Sequence, residues 1–252
     1  MRRVLLVIQY DGTDYHGFQR QPNVPSVQEE LEGALSRLLE HEVEVTGAGR
    51  TDAGVHALGQ TVTFETDSTI PTRRISLALN ALLPDAVSAV GAQEVPAGFH
   101  PRYDATGKLY GYRILNRELP SPFICRYAWH VRRPLDVPMM GQAGDRLIGE
   151  HDFAAFSSGG MSVSTTVRTL RRLDVAEEGD LIELRAEADG FLYMMVRRIV
   201  GVLVEVGRER LSVEEVGRIL ESGDRTRAAF VAPPQGLSLI RVIYGGEPRA
   251  RP

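Results

Sequence analysis

Asp52 and Arg50 are the residues of this chain whose types and spacing are best suited to chemistry. They lie two positions apart in the stretch from Gly47 to Gly54, which carries almost no side-chain bulk. Glycines let a backbone approach a ligand closely, and a guanidinium within reach keeps a carboxylate ionised and nucleophilic. We therefore expect Asp52 to be reactive, with Arg50 beside it. The plainer alternative is a turn, because aspartate next to glycine often bonds its own backbone.

The pattern around this stretch predicts a loop between two strands. A strand-like run at 42–45 leads in, and an alternating run at 60–65 leads out. The glycines do not match a dinucleotide fingerprint, because aspartate stands where the third glycine should be and a strand follows instead of a helix. A nucleotide-binding loop is therefore excluded.

Strands and helices alternate along the rest of the chain, which favours an α+β fold. A strand at 4–10 is followed by a helix that opens at Ser26, where Glu29 completes the pattern of a capping box. The other predicted strands lie at 87–95, 109–115, 167–176, 181–188 and 237–243. The other predicted helices lie at 72–83, 139–148, 191–206 and 213–220. Two mixed halves are therefore expected.

A tyrosine pair in the second half is a second candidate feature. Tyr110 and Tyr112 share one face of the predicted strand, and Gly111 leaves the other face bare. The two rings either pack in the core or form a platform on which a base stacks, at roughly 1–3 kcal/mol per base.

Arg197 is the third candidate, on the helix predicted at 191–206. Its stem either lies along apolar neighbours while the guanidinium reaches solvent, or the guanidinium pairs with a buried carboxylate. The second reading is physically sound because an unpaired buried charge is costly.

The composition describes an ordinary globular protein of 252 residues, 43% hydrophobic, with a formal net charge of −4. That charge argues weakly against a nucleic-acid partner, although Lys108 is the only lysine among 29 basic residues and several arginines come in close pairs. Either a composition bias or a segregated basic face explains those pairs. Cys125 is the single cysteine, no run of eighteen apolar residues occurs, and the histidines show no ligand spacing. We expect no metal, no membrane association and a cytoplasmic location.

The segment from Gly49 to His56 resembles the signature of the tRNA pseudouridine synthase A family. Matches in order cover nearly the whole chain: Tyr10-Asp11-Gly12-Thr13, Gly17-Phe18-Gln19, Ser26-Val27-Gln28, Phe99-His100, Glu150-His151-Asp152-Phe153, Phe191-Leu192, Met195-Val196-Arg197, Ala232-Pro233 and Gly236-Leu237. Phe18 stands where the family usually has Trp. Met194 and Arg198 stand where polar residues such as His and Asn are common, which leaves open how that helix contacts RNA.

The resemblance implies cofactor-independent isomerisation of uridine to pseudouridine at positions 38–40 of the tRNA anticodon stem-loop. It implies Asp52 as the catalytic carboxylate, attacking either the sugar or the pyrimidine ring. Arg50 would position the RNA or the displaced nucleotide, Tyr110 would stack on the target base, Arg197 would pair with Asp52, and Leu237 would help to bind substrate. A cytoplasmic homodimer that holds tRNA in a basic cleft is also implied.

The fold implied by the resemblance is two related ferredoxin-like, RRM-like α+β halves whose antiparallel strands form one continuous mixed-order sheet flanked by helices, with the active-site cleft between the halves. The predicted boundaries are 1–103 for the half that carries the Asp52 loop, 104–246 for the half that carries Tyr110 and Arg197, and 247–252 for a tail.

Two other functions compete with this reading. A non-catalytic RNA-binding module has the same mixture of elements with aromatic residues on strands. An enzyme that cleaves a nucleoside or sugar glycosidic bond is less favoured, because such enzymes typically need two carboxylates around the bond and the loop offers one.

Overall fold

The computed structural model describes residues 1–158 and 164–245, and they form an α+β fold, as predicted. The strands are β1 (Arg2–Tyr10), β2 (Thr46–Gly47), β3 (His56–Thr66), β4 (Val87–Val95), β5 (Ala105–Asn116), β6 (Trp129–Val131), β7 (Gly149–Asp152), β8 (Val167–Glu178), β9 (Leu181–Ala188) and β10 (Leu237–Tyr244). The helices are α1 (Val27–Leu39), α2 (Thr72–Asn80), α3 (Val137–Asp145), α4 (Met195–Gly207) and α5 (Val213–Ser222).

The chain divides into two compact units. Of the described residues, the first unit contains 1–106 and 239–245, and the second contains 107–158 and 164–238. The predicted domain boundaries and the cleft between the halves stay predictions, and the predicted tail at 247–252 lies outside the described residues. Within the described residues, no helix is long and apolar enough to cross a membrane.

The first unit is built on a sheet in the order β4-β1-β3-β10. Strand β1 pairs antiparallel with β3 on one side and with β4 on the other. As an inner strand it is buried on both faces, so Val4, Leu5 and Leu6 are almost fully inaccessible. Each such side chain stabilises the fold by about 1.5–3 kcal/mol. Helix α1 begins as predicted, because the Ser26 side chain accepts a hydrogen bond from the Glu29 amide at 3.3 Å.

The prediction of a strand at 42–45 is wrong: these residues form no strand, and the two-residue strand β2 begins directly after them, at Thr46. The backbone of the segment is bonded to side chains of helix α1 and not to a neighbouring strand. The Val43 amide donates to Ser36 Oγ at 3.0 Å, and the Val45 amide donates to Glu32 Oε1 at 3.0 Å. These acceptors satisfy the N–H groups that a sheet ladder would otherwise satisfy.

The second unit has a sheet in the order β5-β9-β8-β7, with β6 parallel to β5. Strands β8 and β9 form the predicted hairpin. The helix predicted from residue 191 begins four residues later, at Met195. The preceding Met194 has a φ of 61°, a left-handed conformation that interrupts an α-helix. Residues 191–194 therefore precede α4, with a turn at 193–194.

Candidate active site

The loop between β2 and β3 carries the three central residues of the predicted site. Arg50 is exposed, Thr51 is buried and Asp52 is half-buried. The Val55 amide donates to the Asp52 carbonyl oxygen at 3.1 Å, and Gly54 has a φ of 75°, so Asp52 opens a tight turn. The turn involves the backbone of Asp52, so a turn at this place is compatible with a chemical role for its carboxylate.

A buried hydrogen-bond network holds this loop in place. Tyr10, at the end of β1, has its hydroxyl 2.8 Å from Thr51 Oγ1. Gln60, on β3, donates from Nε2 to the Gly49 carbonyl oxygen at 2.8 Å. Burial raises the pKa of Tyr10 more than its hydrogen bonds to Thr51 and Gln60 lower it, so the phenol stays neutral. Side chains of two strands therefore fix the backbone on either side of Arg50.

The loop that follows β1 supports the same residues from another direction. The Phe18 amide donates to the Thr51 carbonyl oxygen at 3.2 Å, and the Gly54 amide donates to the Tyr15 carbonyl oxygen at 3.2 Å. Gly17 has a φ of 97°, and a Cβ atom there would lie 2.4 Å from the Thr51 carbonyl oxygen. Only glycine permits this approach.

His56 begins β3 and is buried, with 4% of its surface exposed. Its Nδ1 atom lies 3.0 Å from the Gly12 amide nitrogen and 3.2 Å from Asp11 Oδ1. The Gly12 amide can donate to Nδ1 only when that nitrogen carries no proton, whereas a hydrogen bond to Asp11 requires a proton on it. Both contacts tie the first residue of β3 to the loop that follows β1.

In the second unit, Tyr110 and Tyr112 share a face of β5, as predicted. Their partners on β9 are Ala186 and Leu184, which alternate with Arg185 on the other face. Tyr112 is 1% exposed and its hydroxyl donates to the Pro233 carbonyl oxygen at 2.8 Å. Burial raises its pKa. Tyr112 is therefore a core residue.

Tyr110 is also buried, at 8% exposure, and it meets Phe191 edge to face, with ring centroids 5.1 Å apart and an interplanar angle of 85°. Phe191 lies in the segment that precedes α4. An aromatic contact of this geometry stabilises the pair by about 0.5–1.5 kcal/mol beyond burial. The role of Tyr110 as a stacking platform stays a prediction.

Arg197 lies in the first turn of α4 and is half-buried. Its Nε donates to the Ala232 carbonyl oxygen at 2.8 Å, and the Ala232 amide donates to the Arg197 carbonyl oxygen at 3.0 Å. A Cβ atom on Gly201 would lie 2.2 Å from the Phe230 carbonyl oxygen, so the chain at 230–232 packs directly on the helix. This packing fixes the base of the Arg197 side chain.

Leu237 opens β10 and is 6% exposed, directly after the short helical turn Pro234–Gly236. Sequence reasoning named Leu237 but assigned no supporting role to Gln60, Phe230 or Ala232. Those roles come from contacts between residues far apart in the chain, for which the local pattern carried no signal. Within residues 1–158 and 164–245, no group of three or more His, Cys, Asp or Glu side chains is arranged to hold a metal ion.

Comparisons with known proteins point in one direction. Residues 6–104 and 143–245 match a family model described as tRNA pseudouridine synthase. A protein of Thermoanaerobacter sp. (strain X514) named tRNA pseudouridine synthase A is 47% identical over 244 residues, covering 97% of this chain and 100% of that protein. A protein of Geobacter sulfurreducens with the same name is 45% identical over 244 residues, with the same coverage.

Among solved structures, a chain in the crystal structure of the archaeal box H/ACA sRNP Nop10-Cbf5 complex is 12% identical, with a TM-score of 0.33. The match covers 94% of this chain and 46% of that one. A likeness at this level supports no conclusion about function.

Proposed function

Because the chain belongs to the tRNA pseudouridine synthase family, we propose that it isomerises uridine to pseudouridine in tRNA with Asp52 as its catalytic carboxylate. The bond between N1 of uracil and C1′ of ribose breaks, the freed base rotates, and C5 bonds to C1′. The proton on C5 is lost and N1 gains one, so the product has the composition of the substrate. No oxidant, reductant or cofactor is needed for this balance.

The placement of Asp52 is the observation that carries the proposal. Its loop is fixed by the Tyr10 hydroxyl on Thr51 and by Gln60 on Gly49, while Asp52 itself is half-buried. A reactive group on a rigid support gains most from orientation, since well-aligned intramolecular reactions gain about 7–11 kcal/mol over free reactants. Asp52 attacks either the sugar or the pyrimidine ring in this proposal.

The other predicted residues take supporting roles. We propose that the exposed Arg50 positions the RNA or the displaced nucleotide and that Arg197 pairs with the Asp52 carboxylate. Tyr110 stacks on the target base in this proposal. Leu237 supplies apolar contact with substrate.

We propose the anticodon stem-loop, at tRNA positions 38–40, as the target and a cytoplasmic homodimer as the working form. A uridine in a stem must leave its stack before it can react, at a cost of a few kcal/mol. Contacts with Arg50 and Tyr110 would offset that cost. Light scattering coupled to gel filtration tests the dimer, and a monomer at micromolar concentration would contradict it.

Release of tritium from tRNA labelled at C5 of uridine tests the reaction, with no cofactor added. The wild-type protein should release tritium into water, and Asp52→Asn, which keeps the size of the side chain and removes its charge, should release none. Mapping of pseudouridine in the product tRNA then tests the position.

Asp85→Asn is the matched control, because Asp85 is an exposed carboxylate of the same unit outside the Asp52 loop. It should react like the wild type. If Asp52→Asn retained most of the wild-type rate, Asp52 would not be the catalytic group. If the wild-type protein bound several tRNAs and released no tritium from any of them, a non-catalytic RNA-binding module would replace the proposed enzyme.

A further inference from the structure

Arg198 on α4 and Arg225 after α5 lie beside each other in the second unit, and within the described residues their guanidiniums bond only neutral acceptors. Arg198 Nη1 donates to the carbonyl oxygens of Arg225 and Ala228, at 3.1 and 2.8 Å, and Arg225 Nε donates to the Ala154 carbonyl oxygen at 3.4 Å. Arg198 Nε also donates to Ser158 Oγ at 3.2 Å. All these acceptors are neutral, so the described residues that bond these two guanidiniums leave both charges uncompensated.

The surroundings make this concentration of positive charge unfavourable in the free protein. Burial lowers the pKa of Arg198, and the neighbouring charge of Arg225 lowers it further. Arg198 also lies in the first turn of α4, which contains no acidic residue. A cation at the N-terminal end of a helix opposes the helix dipole, whereas an anion there is stabilised.

The hydrogen bonds of Arg198 hold it in one position. Its contacts join α4 to the segment at 225–228 and to Ser158. A guanidinium held in this way loses little further freedom when it binds an anion, and its Nη2 group, which none of these bonds uses, can donate to a phosphate oxygen. Arg225 is exposed, and its Nη1 and Nη2 groups supply further donors beside it.

We propose that Arg198 and Arg225 together bind one backbone phosphate of the tRNA substrate. The inference rests on the proposed function in one respect, that the substrate is tRNA. A backbone phosphate at this place sets one negative charge between two like positive charges and offsets the unfavourable helix dipole.

The dependence of tRNA affinity on salt concentration tests the proposal, because each phosphate contact releases bound counterions. Wild type, Arg225→Gln, Arg198→Gln and the double variant are compared by filter binding over a range of chloride concentrations. Loss of one phosphate contact should reduce the slope of log affinity against log salt by about one. The double variant should lose no more than the single variants, because both arginines contact the same phosphate.

Arg227→Gln is the matched control. Arg227 is an exposed arginine of the same segment, but it lies near the carboxylates of Asp224 and Glu215. Its charge is already balanced, so the slope should match the wild type. Circular dichroism and thermal unfolding establish whether each variant is folded. If Arg198→Gln does not fold, the salt dependence of Arg225→Gln alone decides the outcome.

Three results would overturn the subsite. The first is an unchanged slope in folded Arg225→Gln. If inorganic phosphate nevertheless stabilised the wild type more than this variant, the site would bind free phosphate and not RNA. Additive losses in the double variant would assign the arginines to separate phosphates. An equal loss in Arg227→Gln would indicate a diffuse charge effect. Tritium release by the wild type, measured in parallel, separates failure of the subsite from failure of the proposed reaction.

Discussion

Replacing Tyr10 by phenylalanine tests whether the buried network holds the Asp52 loop in its reactive position. The substitution removes one hydroxyl, which lies 2.8 Å from Thr51 Oγ1, and keeps the ring and its packing. A hydrogen bond of this kind contributes about 0.5–1.5 kcal/mol net, and a buried hydroxyl left without its partner costs about 1–3 kcal/mol. We therefore expect the free energy of unfolding to fall by about 1–3 kcal/mol.

The effect on catalysis should exceed the effect on stability. A displacement of about 1 Å at a catalytic group can reduce the rate about a hundredfold. We expect kcat for pseudouridine formation to fall by roughly ten- to a hundredfold, with little change in the Kd for tRNA. Single-turnover tritium release and filter binding measure the two quantities, and urea unfolding measures stability.

Tyr244→Phe is the control for this experiment. The Tyr244 hydroxyl also bonds a threonine hydroxyl in the first unit, Thr61 Oγ1 at 2.6 Å, and donates to the Pro101 carbonyl oxygen at 2.8 Å. It should lose similar stability and keep its kcat, because it does not bond residues 49–52. Wild-type kcat in Tyr10→Phe, or an equal loss in both variants, would refute the idea that Tyr10 orients Asp52.

Further predictions concern the helices and the tyrosines. Gly201→Ala should destabilise the protein by about 1–3 kcal/mol and reduce kcat, because the new methyl group would displace the Phe230 carbonyl. Gly217→Ala is the control, because its Cβ would meet no atom within 4 Å, and it should change neither stability nor kcat. Urea unfolding measures the stability of both variants, and tritium release measures their kcat. Burial raises the pKa of Tyr244 to about 12. The unfolded chain therefore loses this proton first, and the stabilisation from Tyr244, complete below pH 10, should decline between about pH 10 and 12, as chemical unfolding across that range would show. Ser26→Ala should lower the unfolding free energy by about 1 kcal/mol, because the N-cap of α1 is lost, and an unchanged urea midpoint would contradict the cap.

The elements that sequence reasoning predicted well are those with local signals. Strand β4 and the hairpin of β8 and β9 follow from short-range alternation, and α1 follows from its cap at Ser26. The failures have long-range causes. Residues 42–45 alternate like a strand, but Ser36 and Glu32 of a neighbouring helix take their N–H groups. Such competition leaves no trace in the pattern of the segment itself.

The residues of the candidate site also fall into those with a local sequence signal and those without one. Asp52 and Arg50 were identifiable because a carboxylate and a guanidinium in a glycine-rich loop are unusual by themselves. The support from Gln60 was not identifiable, since its contact with Gly49 joins residues 11 positions apart through a side chain whose direction depends on the sheet. The hydrogen bond from Arg197 to the Ala232 carbonyl oxygen joins residues 35 positions apart and depends on the packing of α4. Sequence reasoning thus pointed to candidate reactive groups but not to the residues that support them.

The bonds that hold the Asp52 loop have a consequence for how this protein can change. The acceptors at Gly49, Thr51 and Asp52 include backbone carbonyl oxygens, which every residue type possesses. The exposed positions Arg50 and Ala53 contribute no side chain to the bonds described for that support. Under the proposed function, side chains at positions 50 and 53 can therefore be replaced, and substrate contacts changed, on a backbone whose shape is maintained by other residues. Libraries confined to these two positions should consequently retain a high fraction of folded members.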